Sequence, residues 1–165
     1  MKSIQDHKDL KNKKVLLRLD LNVPLKNGKI TDTTRINKIV PTIKFLLDNQ
    51  SKLIILSHVG RPKGKIVNEL SLKPICEDLQ IKVNKDIKLV TKNIKEIKST
   101  DLFNKLNDRI VVLENIRFCS EEEKNDENFA KHLATLADIY VNDAFSCSHR
   151  AHASISAITK FLPSY

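Results

Sequence analysis

The feature that most constrains this chain is a rhythm. Short runs of Val, Ile and Leu alternate with longer stretches whose apolar residues recur at helical spacing. A strand apolar on both sides has to be covered on both faces, and the usual link from one such strand to a parallel neighbour is a helix. The clearest strands are Val15–Leu19, Leu53–Leu56, Arg109–Leu113 and Asp138–Val141, with shorter candidates at Gln80–Val83 and Ile87–Val90. Helical stretches are expected over Asp32–Asn49, Leu72–Leu79, Asn93–Leu106 and Asp126–Ala137. Pro41, inside the first, predicts a kink or a local break. The fold class is α/β: three α/β/α layers built on a mostly parallel, Rossmann-like sheet of about six strands with helices on both faces.

At 165 residues the chain has the length of one compact domain, and neither a signal pattern nor an apolar run long enough to span a bilayer is present. A cytoplasmic, monomeric protein with no membrane partner is expected. Cys76, Cys119 and Cys147 are odd in number and lack C-x-x-C pairing, which argues against a disulfide framework or a structural zinc site. The formal charge of +9 raises nucleic acid as a partner. However, 23 of the 29 basic residues are lysines scattered along the chain, and with two tyrosines and no tryptophan there is little for bases to stack on. A nucleic-acid binder is therefore the third reading in order.

Ligands of an open parallel sheet collect beyond the carboxyl ends of its strands, and the residues there are polar. Val15–Leu19 leads into Asp20 and Asn22, Leu53–Leu56 into Ser57, His58 and Arg61, Arg109–Leu113 into Glu114, Asn115 and Arg117, and Asp138–Val141 into Asn142, Asp143, His149 and Arg150. Arg35 opens the first long helix, where free N–H groups favour an anion. Of only six arginines, Arg35, Arg61, Arg117 and Arg150 occupy such places. A guanidinium grips phosphate or carboxylate with two parallel bonds, whereas lysine offers a mobile point charge. The opposing reading pairs each arginine with a carboxylate such as Asp20, Glu114 or Asp143.

The histidines give no metal site: His149 and His152 have no recognised ligand spacing and no H-E-x-x-H is present. Beside arginines, His58, His149 and His152 either donate to an anion or serve as capping and solvent-facing residues. Ser57 next to His58 is no nucleophilic dyad, since neighbours on an extended backbone face opposite ways. Glu121–Glu123 reads as a solvated acidic entrance to the Asp126 helix. Gly60–Lys65, G-R-P-K-G-K, falls one residue short of P-loop spacing and is followed by Ile66 where a magnesium-holding hydroxyl belongs. The expected site holds an anion and has no nucleotide cradle of its own.

Five segments, R-L-D-L-N-V-P at 18–24, T-D-T-T-R-I at 31–36, S-H-V-G-R-P-K-G at 57–64, L-E-N-I-R-F at 113–118 and N-D-A-F-S-C-S-H-R-A-H-A-S at 142–154, resemble the phosphoglycerate kinase family in content and order. The resemblance is faint between about residues 80 and 107. It implies a transferase (kinase) of glycolysis that moves a phosphoryl group between 1,3-bisphosphoglycerate and ADP, giving 3-phosphoglycerate and ATP with magnesium. It also implies that residues 1–165 form the N-terminal, substrate-binding lobe. The family's substrate contacts carry over to Asp20, Asn22, Arg35, His58, Arg61, Arg117 and Arg150, with Arg35 the catalytic candidate that stabilises the transferring group. Mg-ATP and Mg-ADP would be bound by a C-terminal nucleotide lobe that this chain lacks, and no residue here is assigned to cofactor or metal. The isolated chain is accordingly expected to bind 3-phosphoglycerate weakly without turnover. Ser146, Cys147 and Ser148 stand where the family more often has Gly-Thr-Ala. An autonomous, non-catalytic phospho-metabolite-binding domain is the second reading.

Overall fold

The computed structural model describes residues 2–165. Strands β1 (Lys14–Leu19), β4 (Lys52–Leu56), β5 (Lys88–Val90), β6 (Ile110–Leu113) and β7 (Ile139–Asp143) form one parallel sheet in the order β5-β6-β4-β1-β7. Strands β2 (Leu25–Lys26) and β3 (Lys29–Ile30) make a small antiparallel hairpin outside it. The sheet thus has five strands where about six were expected. The difference arises at Gln80–Val83, which forms the last turn of helix α2 (Lys73–Val83). Ile75, Leu79 and Val83 are buried at a spacing of four, so the helical period governs this segment, and Asn84 ends it in a left-handed conformation (φ 55°). Beside β7, residues 163–165 hydrogen-bond in strand fashion, Tyr140 N–H to Pro163 O (2.9 Å) and Asn142 N–H to Tyr165 O (3.0 Å).

Alternation along the strands splits the core between two faces. Val15, Leu17, Leu53, Ile55, Val112 and Val141 pack with Ile36, Ile39, Ile43 and Leu46 of α1 (Thr34–Asp48) and with α2. Leu16, Ile54, Leu56, Val111, Leu113 and Tyr140 pack with Phe129, Ala130 and Leu133 of α4 (Glu127–Ala134). The layers are therefore helix, sheet, helix. Helix α1 runs unbroken through Pro41, so the expected break is absent. Pro41 and Asn37, whose carbonyl loses its usual i+4 donor, are both on the exposed face, where water serves instead.

The segment 93–106 is not the expected helix. It forms two short 3-10 turns, Ile94–Glu96 and Ser99–Asp101. Asn93 accepts from Lys95 N–H (3.1 Å) and Asp101 from Lys98 N–H (2.8 Å), local side-chain bonds that compete with helical ones. Ile94, Ile97 and Leu102 still reach the core, which is what made the spacing look helical. Cys76, Cys119 and Cys147 are free, buried thiols. Among the described residues no helix is long and apolar enough to cross a membrane.

Candidate functional site

Because the five strands are parallel, their carboxyl ends share one edge, and the chain crosses the sheet between β6 and β7, passing from one side of the β4–β1 pair to the other. Such a crossing opens a crevice at that edge. A cleft of about 220 Å³ lies there, lined by Asp20, Asn22, Arg35, His58, Gly60, Arg61, Arg117, Ser146, Cys147 and Arg150. All seven residues expected at the site from the sequence meet in it. They come from the loop after β1, the start of α1, the loop after β4, the turn after β6 and the loop after β7. A larger hollow of about 530 Å³ between Ile66, Lys95, Phe118 and Glu121 contains no arginine. Its inner carboxylate, Glu114, is taken up by Ser71 Oγ (2.7 Å), Leu72 N–H (2.8 Å) and Asn115 N–H (2.8 Å).

The arginines are not all held by acidic neighbours. Arg35 Nη1 donates to Asp20 Oδ1 and to Asn22 O, both at 3.0 Å, while the side chain stays half exposed. Such a pair contributes roughly 0–1 kcal/mol and yields readily to a better anion. The guanidinium groups of Arg61 and Arg150 make no hydrogen bond or ion pair among the described residues, and both residues are exposed. Arg117 is different, being only 4% exposed. Its Nη1 donates weakly to Gly60 O (3.3 Å), and Nε lies 3.6 Å from Glu123 Oε1, beyond hydrogen-bond range. Nε and Nη2 are buried without a hydrogen-bond partner. Burial first, then the charges of Arg150 and Arg18, pull its pKa below the usual guanidinium value, with Glu123 opposing.

His58 is 2% exposed, and its Nδ1 lies 2.8 Å from Arg18 Nη2. Burial, reinforced by the charges of Arg18, Arg117 and Arg150, pushes its pKa down to about 2, so the ring is neutral at ordinary pH. Arginine is always a donor, which makes Nδ1 the acceptor. Asn22 positions the opposite wall, its Oδ1 accepting from Gly60 N–H (3.0 Å). His149 does not line the cleft. His152 lies behind it, half-buried, with Nδ1 unpartnered.

Three features were not assigned from the sequence. Ser146 lines the cleft and donates to Asp20 Oδ2 (2.5 Å), a bond that glycine at this position cannot make. Arg18 is fully buried behind His58, although it falls inside a quoted motif. Its parity with Leu16 was the available signal, since a charged residue pointing into a covered face needs a partner there. Glu122 corrects the solvated acidic run: it is fully buried while Glu121 and Glu123 remain outside. Helix α3 (Ser120–Glu123) turns only its third residue inward.

The glycine-containing segment 60–65 packs against neighbouring loops. Gly60 N–H goes to Asn22, Gly64 N–H to Arg117 O (3.0 Å) and Lys65 N–H to Pro62 O (3.2 Å). Three of the segment's five backbone N–H groups are thus engaged within the protein. Among the described residues no cluster of three or more His, Cys, Asp or Glu side chains offers a metal site.

The fold and the cleft define an α/β domain whose guanidinium groups converge at the carboxyl edge of its sheet. A family model described as phosphoglycerate kinase matches residues 4–165. The chain belongs to the phosphoglycerate kinase family. It is 55% identical over 157 residues to the phosphoglycerate kinase of Wolbachia pipientis subsp. Culex pipiens (strain wPip), covering 95% of this chain and 39% of that one. It is 48% identical over 158 residues to that of Finegoldia magna, covering 94% and 40%. The structure of phosphoglycerate kinase from Coxiella burnetii superposes with a TM-score of 0.85 at 37% identity, covering 98% of this chain and 40% of that one. The enzyme from Pyrococcus horikoshii OT3 gives 0.86 at 28%, covering 99% and 42%. The chain thus spans about two fifths of the length of the relatives it matches.

Proposed function

We propose that residues 1–165 are the substrate-binding lobe of a phosphoglycerate kinase, holding 3-phosphoglycerate and 1,3-bisphosphoglycerate for phosphoryl exchange with a nucleotide bound on another lobe. The observation that carries this reading is Arg117: a nearly buried guanidinium with two nitrogens, Nε and Nη2, that have no hydrogen-bond partner, in a cleft shared with Arg35, Arg61 and Arg150. Its one ion pair among the described residues, to half-exposed Glu123 at 3.6 Å, leaves those N–H groups without hydrogen bonds, and an anionic ligand supplies them. Phosphoglycerate carries a phosphate of about −1.5 to −2 and a carboxylate, so it needs fixed cations at both ends.

In this reading Arg61, Arg117 and Arg150 bind the anionic groups and neutral His58 donates a further hydrogen bond. Asp20 and Asn22 orient Arg35 and the glycerate portion. Arg35, half exposed on the rim, is the residue placed to exchange Asp20 for the transferring phosphoryl group and stabilise its charge. Mg-ATP or Mg-ADP would be held outside this chain. Calorimetric titration of 3-phosphoglycerate into the chain and into Arg61→Ala tests the reading. Saturable binding weakened in the variant is expected, and a chain that takes up no phosphoglycerate, or an Arg61→Ala variant that binds it undiminished, rejects it.

A further inference from the structure

Behind the cleft runs a line of buried polar groups that begins on α3 and ends on the His58 ring. Glu122 Oε1 accepts from Ser154 N–H and from Ser154 Oγ–H, both at 2.9 Å. Ser154 Oγ accepts from Arg18 Nε (2.9 Å), and Arg18 Nη2 reaches His58 Nδ1 (2.8 Å). Arg18 Nη1 is tied to Leu19 O (2.6 Å). Arg18, Ser154 and Glu122 are all fully buried, His58 nearly so, and Glu122 is the one buried carboxylate among the described residues.

The direction of every bond in the line is forced. A guanidinium only donates, so Ser154 Oγ receives the Nε proton and must send its own single proton to Glu122. By the same logic His58 Nδ1 receives from Arg18, which leaves the ring proton on Nε2. That nitrogen has no protein partner and belongs to a residue lining the cleft. Ser154 is also pinned through its backbone, its carbonyl accepting from Tyr140 Oη (2.6 Å) and the preceding Ala153 N–H donating to Glu122 O (2.9 Å). The charges facing His58 are Arg18 from β1, Arg117 from the turn after β6, and Arg150 and His152 from the loop after β7. None of them is a carboxylate that would favour an imidazolium.

We propose that Glu122, Ser154 and Arg18 act as a positioning relay that fixes His58 as a neutral ring protonated on Nε2, so that the cleft receives a hydrogen-bond donor in place of an acceptor. Glu122 Oε1 takes the Ser154 hydroxyl proton, which turns the Ser154 lone pairs toward Arg18 Nε and sets the rotation of the guanidinium. An acceptor at Nε2 would repel an anionic ligand; a donor adds to the arginines. The consequence for ligand binding rests on the phosphoglycerate reading of the cleft, whereas the state of the ring does not.

Long-range nitrogen–proton spectra of the isotope-labelled 165-residue chain report the tautomer directly. At about pH 7 the wild-type ring is expected to carry its proton on Nε2 alone. In Ser154→Ala an Nδ1-protonated fraction should appear, and affinity for 3-phosphoglycerate should fall on the order of tenfold. Ser154→Thr, which keeps the hydroxyl, should restore both. If circular dichroism shows Ser154→Ala unfolded, Glu122→Leu makes the same comparison, since it removes the oxygen that accepts the hydroxyl proton. A wild-type ring protonated on Nδ1, or a ring state unmoved in every folded variant, overturns the relay. A chain with the expected ring that binds no 3-phosphoglycerate overturns the functional reading and leaves the relay standing.

Discussion

Single residues decide what this cleft can hold. Arg117 was legible as a candidate from its place after an apolar strand, but its value as a ligand group depends on Nε and Nη2 having no hydrogen-bond partner, which only packing reveals. Arg117→Ala is expected to weaken 3-phosphoglycerate binding by about ten- to a hundredfold, matching the loss of charge-assisted bonds of about 1.5–3 kcal/mol, in a calorimetric titration. The effect should exceed that of Arg61→Ala, whose exposed partner site is screened by water. His58 yields a pH prediction. Its folded pKa of about 2 lies below the unfolded value near 6.5, so between these limits the unfolded chain binds more protons. Stability therefore rises with pH across that window and is progressively lost as pH falls below about 6.5, by at most about 1.4 kcal/mol per unit for one proton. The depressed pKa of His152 acts in the same direction. Urea midpoints measured from neutral to mildly acidic pH should show this slope, and His58→Asn, whose amide oxygen can still accept from Arg18, should flatten it.

At the scale of elements, loops do most of the positioning, and their geometry is where local rules and tertiary contacts meet. Gly64 has φ +77°, and a Cβ there would lie 2.7 Å from Ser120 Cβ and 2.9 Å from Ser120 Cα. Gly64→Ala is expected to destabilise the chain by about 2–4 kcal/mol in denaturant unfolding, combining backbone strain with a clash that cannot relax into a side chain. Gly28, with φ +72° but nothing within 4 Å, serves as the control and should lose only about 1 kcal/mol when changed to Ala. The loop after β7 is tied across the cleft by Ser146 on Asp20, the carboxylate that also holds Arg35. Ser146→Gly should speed amide exchange through residues 144–150 and weaken 3-phosphoglycerate binding by roughly threefold, in line with one net hydrogen bond. Unchanged exchange in that loop would show that the hydroxyl does not restrain it.

For the whole molecule, the parallel sheet assembles a cleft from five places far apart in sequence, and the net charge of +9 surrounds that cleft with a field that favours anions. Binding of 3-phosphoglycerate by the chain should consequently weaken as salt is raised past about 0.1 M, where screening reaches about 10 Å. On the proposed reading, a coupled assay with ADP and 1,3-bisphosphoglycerate should detect no turnover at kinase rates, because phosphoryl transfer requires both reactants held together and the cleft is assigned to the phosphoglycerate alone. ATP formation at an ordinary kinase rate by the purified chain would refute that division of labour.

The amino-acid sequence by itself pointed to five of the six expected strands, through apolar runs of both parities such as Val15–Leu17 and Ile110–Leu113, while Gln80–Val83 proved to be the end of a helix. It also determined the polar groups at their carboxyl ends, because a strand and the loop it feeds are contiguous. Tertiary structure alone decided three things. It made residues 93–106 a pair of short turns whose apolar side chains satisfy the core without a helix. It turned Glu122 inward from a run of three identical letters, and it gave Arg18 a buried line of partners reaching to Ser154. Periodicity reports what a residue prefers within its own segment. A buried charge, by contrast, is stable only through groups 32 to 136 positions away, as in the Glu122–Ser154 and Arg18–Ser154 bonds, and no local pattern encodes their meeting.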